Sequence, residues 1–117
     1  MKALIIDDEN DICYLLGTIL LNKNISSDYV NSIKDARRVL ISEGPRVIFL
    51  DNHLPDGRGV DFIGELKKRI PAPIIIMLTA YDTPDDRRKA MEAGADFFIP
   101  KPFSRETIFR TVDLLPQ

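Results

Sequence analysis

Three short apolar runs in this sequence end abruptly in polar residues with complementary chemistry. The run L-I-I-D-D ends in the adjacent carboxylates Asp7 and Asp8, R-V-I-F-L-D ends at Asp51, and I-I-I-M-L-T ends at Thr79. A fourth run leads into I-P-K-P, which contains Lys101. If all four runs are neighbouring parallel strands, these side chains meet at one carboxyl edge, where open α/β sheets bind their ligands.

The chemistry of such a site follows from its charges. Three carboxylates held close together repel one another, and burial strengthens the repulsion, so the cluster needs a cation or bound protons. Mg²⁺ suits it because this ion prefers oxygen ligands and bridges carboxylates to phosphate. With that ion and the Lys101 ammonium, the site suits a dianionic phosphoryl group. Asp51 is then the candidate nucleophile for an acyl phosphate, with the Thr79 hydroxyl as a donor to phosphoryl oxygen.

Strands and helices are predicted to alternate along the chain. Ser32 with Asp35, and Thr83 followed by Pro84 and Asp86, are typical of helix starts, and Gly94 is typical of a helix end. Apolar runs predict strands over residues 2–6, 27–30, 47–50, 74–78 and 97–99. Helical spacing predicts helices over residues 10–22, 32–41 and 83–93, and two more that begin near residues 60 and 104.

Five such pairs predict a flavodoxin-like (βα)5 fold in one domain over residues 1–117. The sheet is doubly wound and parallel, because right-handed crossovers cover both of its faces with helices. We expect the strand order 2-1-3-4-5, with the ligand site at the switch between the first and third strands. That order brings Asp7 and Asp8 beside Asp51.

Composition excludes several other classes of function. The 117 residues carry a formal net charge of -2, without the basic stripe of a nucleic-acid-binding domain. Apolar runs are too short to span a membrane, and no signal peptide is apparent, so we expect a cytoplasmic protein. Cys13 is the only cysteine, which excludes an internal disulfide and a thiolate metal cluster, and its helical spacing favours a core position.

Five motifs in sequence order resemble those of the receiver domains of bacterial two-component response regulators, the CheY-like family. The resemblance covers the whole chain, and the motifs fall at the predicted strand ends and loops. They are I-I-D-D-E at residues 5–9, L-D-N-H-L-P-D-G-R-G at 50–59, L-T-A at 78–80, G-A-D-F-F-I at 94–99 and P-K-P-F at 100–103.

The resemblance implies a phosphoacceptor and a metal site. Asp51 would accept the phosphoryl group and also bind Mg²⁺, for which Mn²⁺ can substitute. Asp8 would bind the metal directly and Asp7 through a metal-bound water. His53, two residues after the acceptor, would contribute its backbone carbonyl.

The resemblance also implies a switch. Thr79 and Lys101 would stabilise the phosphoryl group, and Thr79 would move with Phe98, which stands where many relatives have tyrosine. The Lys101–Pro102 peptide would be cis, an isomer that is rare even before proline. The side chains of His53 and Tyr81 are candidate modulators of dephosphorylation.

The implied partners are those of a signalling switch rather than of an enzyme that acts on other molecules. A sensor histidine kinase or a phosphotransfer protein would donate the phosphoryl group. The surface formed by the fourth helix, fifth strand and fifth helix would contact a target or output domain. The domain would be a monomer or a phosphorylation-dependent dimer, without nucleic-acid or membrane partners of its own.

Simpler interpretations stand beside these. Asp7 and Asp8 could cap the next helix, Asp51 and Thr79 could be turn residues, and Lys101 could be a solvated surface charge. An aspartate-based phosphohydrolase would also use an acidic cluster and Mg²⁺, but it normally has a second acid at the position of residue 53. A phosphorylation-independent binding module would not need the complete set of polar residues. A Rossmann nucleotide site is disfavoured because no G-x-G-x-x-G follows the first strand.

Overall fold

A central sheet of parallel strands organises the computed structural model, which describes residues 1–80 and 83–116. Its strands lie in the order β2-β1-β3-β4-β5, and each neighbouring pair is parallel. The predicted flavodoxin-like order 2-1-3-4-5 is therefore confirmed. The strands are β1 Lys2–Ile6, β2 Ser26–Val30, β3 Val47–Asp51, β4 Ile74–Thr79 and β5 Phe97–Pro100.

Burial follows the position of each strand in the sheet. Every residue of β3 is buried, as expected for a central strand covered on both faces, whereas the edge strand β2 is mostly exposed. β3, β4 and β5 each extend one residue beyond the predicted end, to Asp51, Thr79 and Pro100. The polar residues Asp51 and Thr79 thus lie within the last pairs of the sheet, and Lys101 follows it directly.

Five helices connect the strands, and their starts follow the predicted cap signals. Ser32 Oγ accepts a hydrogen bond from Asp35 N, and Thr83 Oγ1 accepts one from Asp86 N. Gly94 ends the fourth helix in the left-handed region, at φ 117°. The ends of α1 and α2 differ from prediction by one residue, which is the usual uncertainty at a frayed end. The helices are α1 Asn10–Leu21, α2 Ile33–Leu40, α3 Gly59–Lys67, α4 Pro84–Ala93 and α5 Arg105–Asp113.

The sheet separates two apolar core layers. One layer lies under α2, α3 and α4 and includes Ile33, Ile63 and Ala90, and the other lies under α1 and α5 and includes Leu16 and Ile108. Burying one leucine or isoleucine side chain contributes roughly 1.5–3 kcal/mol to stability. Cys13, which is 2% exposed, lies in the second layer as predicted. No helix within the described residues is both long enough and apolar enough to cross a membrane.

The connection between β3 and α3 is more ordered than the sequence suggested. The L-P-D-G-R-G stretch was predicted as a simple loop, but it contains a short antiparallel pairing of His53–Leu54 with Gly57–Arg58. Leu54 is buried in the core layer under α2 and α3, which holds the hairpin against the domain. We call residues 52–59 the acceptor loop.

Candidate functional site

The carboxyl ends of β1 and β3 bring three aspartates together. Ile6 pairs with Leu50 in the sheet, so the residues that follow them, Asp7 and Asp51, lie at the same edge. Carboxylate oxygens of Asp7, Asp8 and Asp51 all lie within 4.8 Å of one another. The predicted acidic cluster is therefore present at the switch point of the sheet.

Lys101 reaches this cluster from the end of β5. Its Nζ lies 2.8 Å from Asp7 Oδ2 and 3.4 Å from Asp51 Oδ1, and it also contacts Glu9 Oε2 at 3.4 Å. Only 11% of the Lys101 side chain is exposed. The alternative of a solvated surface lysine is therefore wrong. We call Asp7, Asp8, Asp51 and Lys101 the acid pocket.

Backbone contacts set the position of Lys101. Its amide donates a 2.7 Å hydrogen bond to the Thr79 carbonyl, which ties the β5 end to the β4 end. The following Lys101–Pro102 peptide bond is cis. The side chain can then extend across the ends of the central strands to the aspartates.

Burial raises the proton affinity of the acid pocket. Burial, reinforced by the charge of Asp7, raises the pKa of Asp51 from its usual 3.8 to about 6. Burial also raises the pKa of Asp7, although the Lys101 ammonium opposes this effect. Burial lowers the pKa of Lys101, but the carboxylates of Asp7, Asp51 and Glu9 outweigh it, so the net pKa is raised. One ammonium thus only partly compensates the carboxylates, and a further cation would be stabilised here.

The Asp7 carboxylate lies between the start of α1 and Lys101. Its Oδ1 accepts a 2.9 Å hydrogen bond from Glu9 N, which fixes the carboxylate. The other oxygen, Oδ2, is buried and lies 2.8 Å from the Lys101 Nζ, its ionic partner. Glu9, not Asp7 or Asp8, is the N-cap residue of α1, so the capping alternative is wrong.

The donor set suits a hard divalent cation. Asp7 and Asp51 are buried, whereas Asp8 is exposed and so lies at the opening of the cluster. Clustered carboxylate oxygens with access to water are the environment that Mg²⁺ prefers, because this ion retains several waters. The residues present therefore fit Mg²⁺.

The acceptor loop is fixed at its base. Asn52 Oδ1 accepts a 3.0 Å hydrogen bond from Val60 N, and the Asn52 carbonyl accepts one of 2.9 Å from Gly59 N. A Cβ at Gly59 would lie only 2.2 Å from the Asp51 carbonyl oxygen, so this position requires glycine for close backbone approach and not merely for a turn. His53 lies in this loop with its side chain exposed.

The predicted switch residues lie on the neighbouring strands. Thr79 ends β4 and is 2% exposed, and Asp51 pairs with the residue before it, Leu78. Phe98 of β5 is half-buried, and the guanidinium carbon of Arg87 lies 4.7 Å from its ring centroid. A narrow cleft separates the two switch residues; Met77 and Ala90 also line it. Tyr81 lies outside the described residues.

Several contacts of the site were not predicted from the sequence. Glu9 was quoted only as part of a motif, yet it contacts Lys101. Asn31 donates a 2.8 Å hydrogen bond to the Asp7 carbonyl, and Arg87 contacts Phe98. The only available sequence signal was a polar residue close to a strand end or cap, which does not identify its partner.

The fold and site define a doubly wound α/β domain with an acidic, lysine-containing site at the carboxyl edge of its sheet. Residues 3–113 match the family model described as the response regulator receiver domain. This chain therefore belongs to the response regulator receiver domain family. Proteins of this family act as signalling switches in two-component systems.

Two curated relatives support the assignment. The response regulator protein PilR of Pseudomonas aeruginosa is 38% identical over 101 residues, which cover 86% of this chain and 23% of PilR. The sensory transduction protein LytR of Staphylococcus saprophyticus is 36% identical over 121 residues, which cover 100% of this chain and 46% of LytR. The chain thus spans less than half the length of either relative.

Solved structures show the same fold. A two-component response regulator from Clostridium difficile is 27% identical with a TM-score of 0.90, and the match covers 97% of this chain and 93% of that chain. The beryllofluoride-activated NtrC4 receiver domain dimer is 33% identical with a TM-score of 0.89, and the match covers 96% of this chain and 93% of that chain.

Proposed function

We propose that this domain accepts a phosphoryl group on Asp51 in a Mg²⁺-dependent reaction. The observation that carries the proposal is the meeting of three carboxylates and one buried ammonium at the acid pocket of a receiver-family domain. The donor would be a phosphohistidine of a cytoplasmic sensor kinase or of a phosphotransfer protein. An Asp51 carboxylate oxygen forms the new bond to phosphorus, the phosphorus–nitrogen bond breaks, and the imidazole leaves with its electron pair.

The residues of the acid pocket would divide the work. Asp8 would bind Mg²⁺ directly, Asp7 through a water, and Asp51 and the His53 carbonyl would complete the protein ligands. The ion, when bound, supplies positive charge next to the phosphoryl oxygens. Lys101 already lies 3.4 Å from Asp51 and would contact those oxygens from the other side.

Phosphorylation would shift the balance between two packings of the domain. The added charge would attract the Thr79 hydroxyl toward the phosphoryl group, and Phe98 would fill the space that Thr79 vacates. The position of Thr79 and Phe98 on one narrow cleft supports this step, because a movement of one side chain there would affect the packing of the other. The surface of α4, β5 and α5 would then bind a target or output domain, or a second copy of the domain.

Dephosphorylation would be adjusted at the rim of the pocket. The exposed side chain of His53 and that of Tyr81 would border the phosphoryl group and set the access of water. His53→Ala and Tyr81→Ala would then change the lifetime of the acyl phosphate, and unchanged lifetimes in both would remove these side chains from the proposal.

Incubation with acetyl phosphate and Mg²⁺ tests the central proposal. The phosphorus–oxygen bond of the donor would break and acetate would leave, so intact-mass spectrometry should show a gain of one phosphoryl group. Asp51→Asn and an EDTA-treated sample should show no gain. Asp61→Asn, at an exposed position in the first turn of α3, is the matched control and should be labelled like the wild type. Labelling that persists in Asp51→Asn would overturn the proposal, as would an unlabelled wild type.

A further inference from the structure

Asp56 caps a helix that belongs to a different part of the chain. Its Oδ1 accepts a 2.9 Å hydrogen bond from Ile33 N, and its Oδ2 accepts one of 2.9 Å from Lys34 N. These amides open α2, whereas Asp56 lies in the acceptor loop, five residues after Asp51. Both oxygens of one carboxylate are therefore used to join the loop to the helix.

The first turn of α2 is divided between two capping residues. Ser32, the N-cap of the helix, accepts a 3.1 Å hydrogen bond from Asp35 N. Asp56 serves the two amides that Ser32 does not reach, Ile33 N and Lys34 N. The pKa of Asp56 is lowered by the hydrogen bonds from Ile33 N and Lys34 N, so its carboxylate is ionised and complements the positive end of the helix.

The loop and the helix are also in close contact beside this cap. A Cβ at Gly57 would lie 2.9 Å from Ile33 Cδ1, so the backbone of the loop passes directly against the first residue of α2. The Ile33 side chain itself is buried in the core layer. The tip of the acceptor loop is thus held against a fixed part of the domain.

The same short segment of chain is attached to the other half of the acid pocket. Asn31 Nδ2 donates hydrogen bonds to the Asp7 carbonyl at 2.8 Å and to Asn10 Oδ1 at 2.9 Å. Asp7 N in turn donates to the Val30 carbonyl at 3.1 Å. Residues 31–34, which we call the linking segment, therefore contact the β1 end on one side and the acceptor loop on the other.

On the basis of the function proposed above, we infer that Asp56 is a positioning residue for the metal site. Through the linking segment, it holds the acceptor loop, which directly follows Asp51 and contains the His53 carbonyl, at a fixed distance from Asp7 and Asp8. Groups that orient metal ligands without touching the metal commonly change its affinity when they are removed. Asp56 would act in this way although it does not belong to the acid pocket.

Two capping variants of the same helix separate positioning from helix stability. Asp56→Ala removes the link between the loop and α2, whereas Ser32→Ala removes a cap within the linking segment and leaves both hydrogen bonds of Asp56 in place. Both should lower Tm. Only Asp56→Ala should weaken Mg²⁺ binding, by about tenfold in isothermal titration calorimetry. It alone should also speed amide hydrogen exchange across residues 52–59. Asp56→Asn, which retains one acceptor oxygen, should fall between Asp56→Ala and the wild type and serves as the test variant if Asp56→Ala does not fold.

Equal Mg²⁺ affinity in the wild type and the Asp56 variants would overturn the inference. An equal loss of affinity in Ser32→Ala would also overturn it, because Asp56 would then act only through helix stability. Failure of the proposed function is distinguishable, since it appears as a wild type that acetyl phosphate does not label. If the wild type binds no Mg²⁺, the hydrogen-exchange comparison decides, and unchanged exchange in the loop of the Asp56 variants would contradict the link.

Discussion

The two halves of the sheet's carboxyl edge are held in different ways. Around the acid pocket, side chains bond to backbone groups of neighbouring segments. Asn52 Oδ1 accepts a hydrogen bond from Val60 N, and Asn31 Nδ2 donates one to the Asp7 carbonyl. Around Thr79 and Phe98, which with α4 we call the switch side, the packing includes a narrow cleft and a ring contact with Arg87. Hydrogen bonds to the backbone thus fix the surroundings of the acid pocket, whereas side-chain packing shapes the switch side.

The helices that cover the two halves show the same difference. α3 buries Gly59, Phe62, Ile63 and Leu66. The structure describes every residue of α4, and among them only Ala90 is buried. Segments with few buried apolar contacts open at low free energy. A metal site benefits from fixed ligands, and a switch requires two packings of similar free energy, so this difference suits the division of labour that we propose.

The largest expected effect is a slower phosphorylation rate when the ammonium is removed from the acid pocket. Lys101→Met should slow phosphorylation by acetyl phosphate about 10²–10³-fold, the usual effect of removing one preorganised group that stabilises developing charge. Quench-flow or timed mass spectrometry measures this rate. Lys2→Met is the control, because Lys2 pairs with Asp28 at the exposed opposite edge. A rate unchanged in Lys101→Met would show that the acid pocket does not depend on its internal cation.

The second effect concerns the carboxylate repulsion in the acid pocket. Because the pKa of Asp51 rises from 3.8 to about 6 on folding, its ionised form costs about 3 kcal/mol of stability above pH 6. This cost should fall as pH decreases through 6 and be absent below 3.8. In EDTA, Asp51→Asn should therefore be about 3 kcal/mol more stable than the wild type at pH 8, with the difference approaching zero at pH 4.

Urea unfolding at pH 8, 6 and 4 measures this difference. Asp28→Asn is the control, since Asp28 has an exposed ion pair with Lys2 whose loss should change the unfolding free energy by at most about 1 kcal/mol. A stability difference for Asp51→Asn that grows toward acid pH would contradict a pKa of Asp51 that is raised by burial.

The third effect is a difference in hydrogen exchange between α3 and α4. Amides of α4 should exchange with solvent on the order of tenfold faster than those of α3 in the unphosphorylated domain, because α4 buries so little apolar surface. Hydrogen exchange followed by mass spectrometry resolves the two helices. Equal protection of α3 and α4 would remove the physical basis for treating α4 as the more changeable helix.

The smallest expected effect is the coupling free energy of the contact between Arg87 and Phe98. A guanidinium over an aromatic ring at a partly exposed site contributes about 0.5–1 kcal/mol. A double-mutant cycle of Arg87→Ala and Phe98→Leu should therefore give a coupling free energy in this range for unfolding. Additive effects of the two substitutions would mean that the ring contact does not hold Phe98, whatever else Arg87 contacts.

Much of the fold was predictable because its signals are local. The caps at Ser32 and Thr83 involve amides only three residues away. Each apolar run indicates a buried strand without any information from the rest of the chain. Strand order followed from general chirality rules applied to alternating elements. The short hairpin at His53–Leu54 was not predicted, because two-residue strands leave no periodic pattern to detect.

The candidate site was predictable only as a set of residue types. Asp7, Asp8, Asp51 and Lys101 stood out because each ends or follows an apolar run. Asp56 did not stand out, since L-P-D-G is an ordinary turn sequence and nothing local indicates that its carboxylate caps a helix 23 residues earlier.

The residue pattern alone specifies which chemical groups are available and at which edge of the sheet they lie, because strand ends and parallel pairing can be inferred from the pattern. How these groups act on one another depends on the folded chain. It buries Asp51 and Asp7, brings Lys101 within ion-pair distance of both, and joins the acceptor loop to α2 through Asp56. Burial and through-space charge depend on contacts between distant segments, which no local pattern encodes.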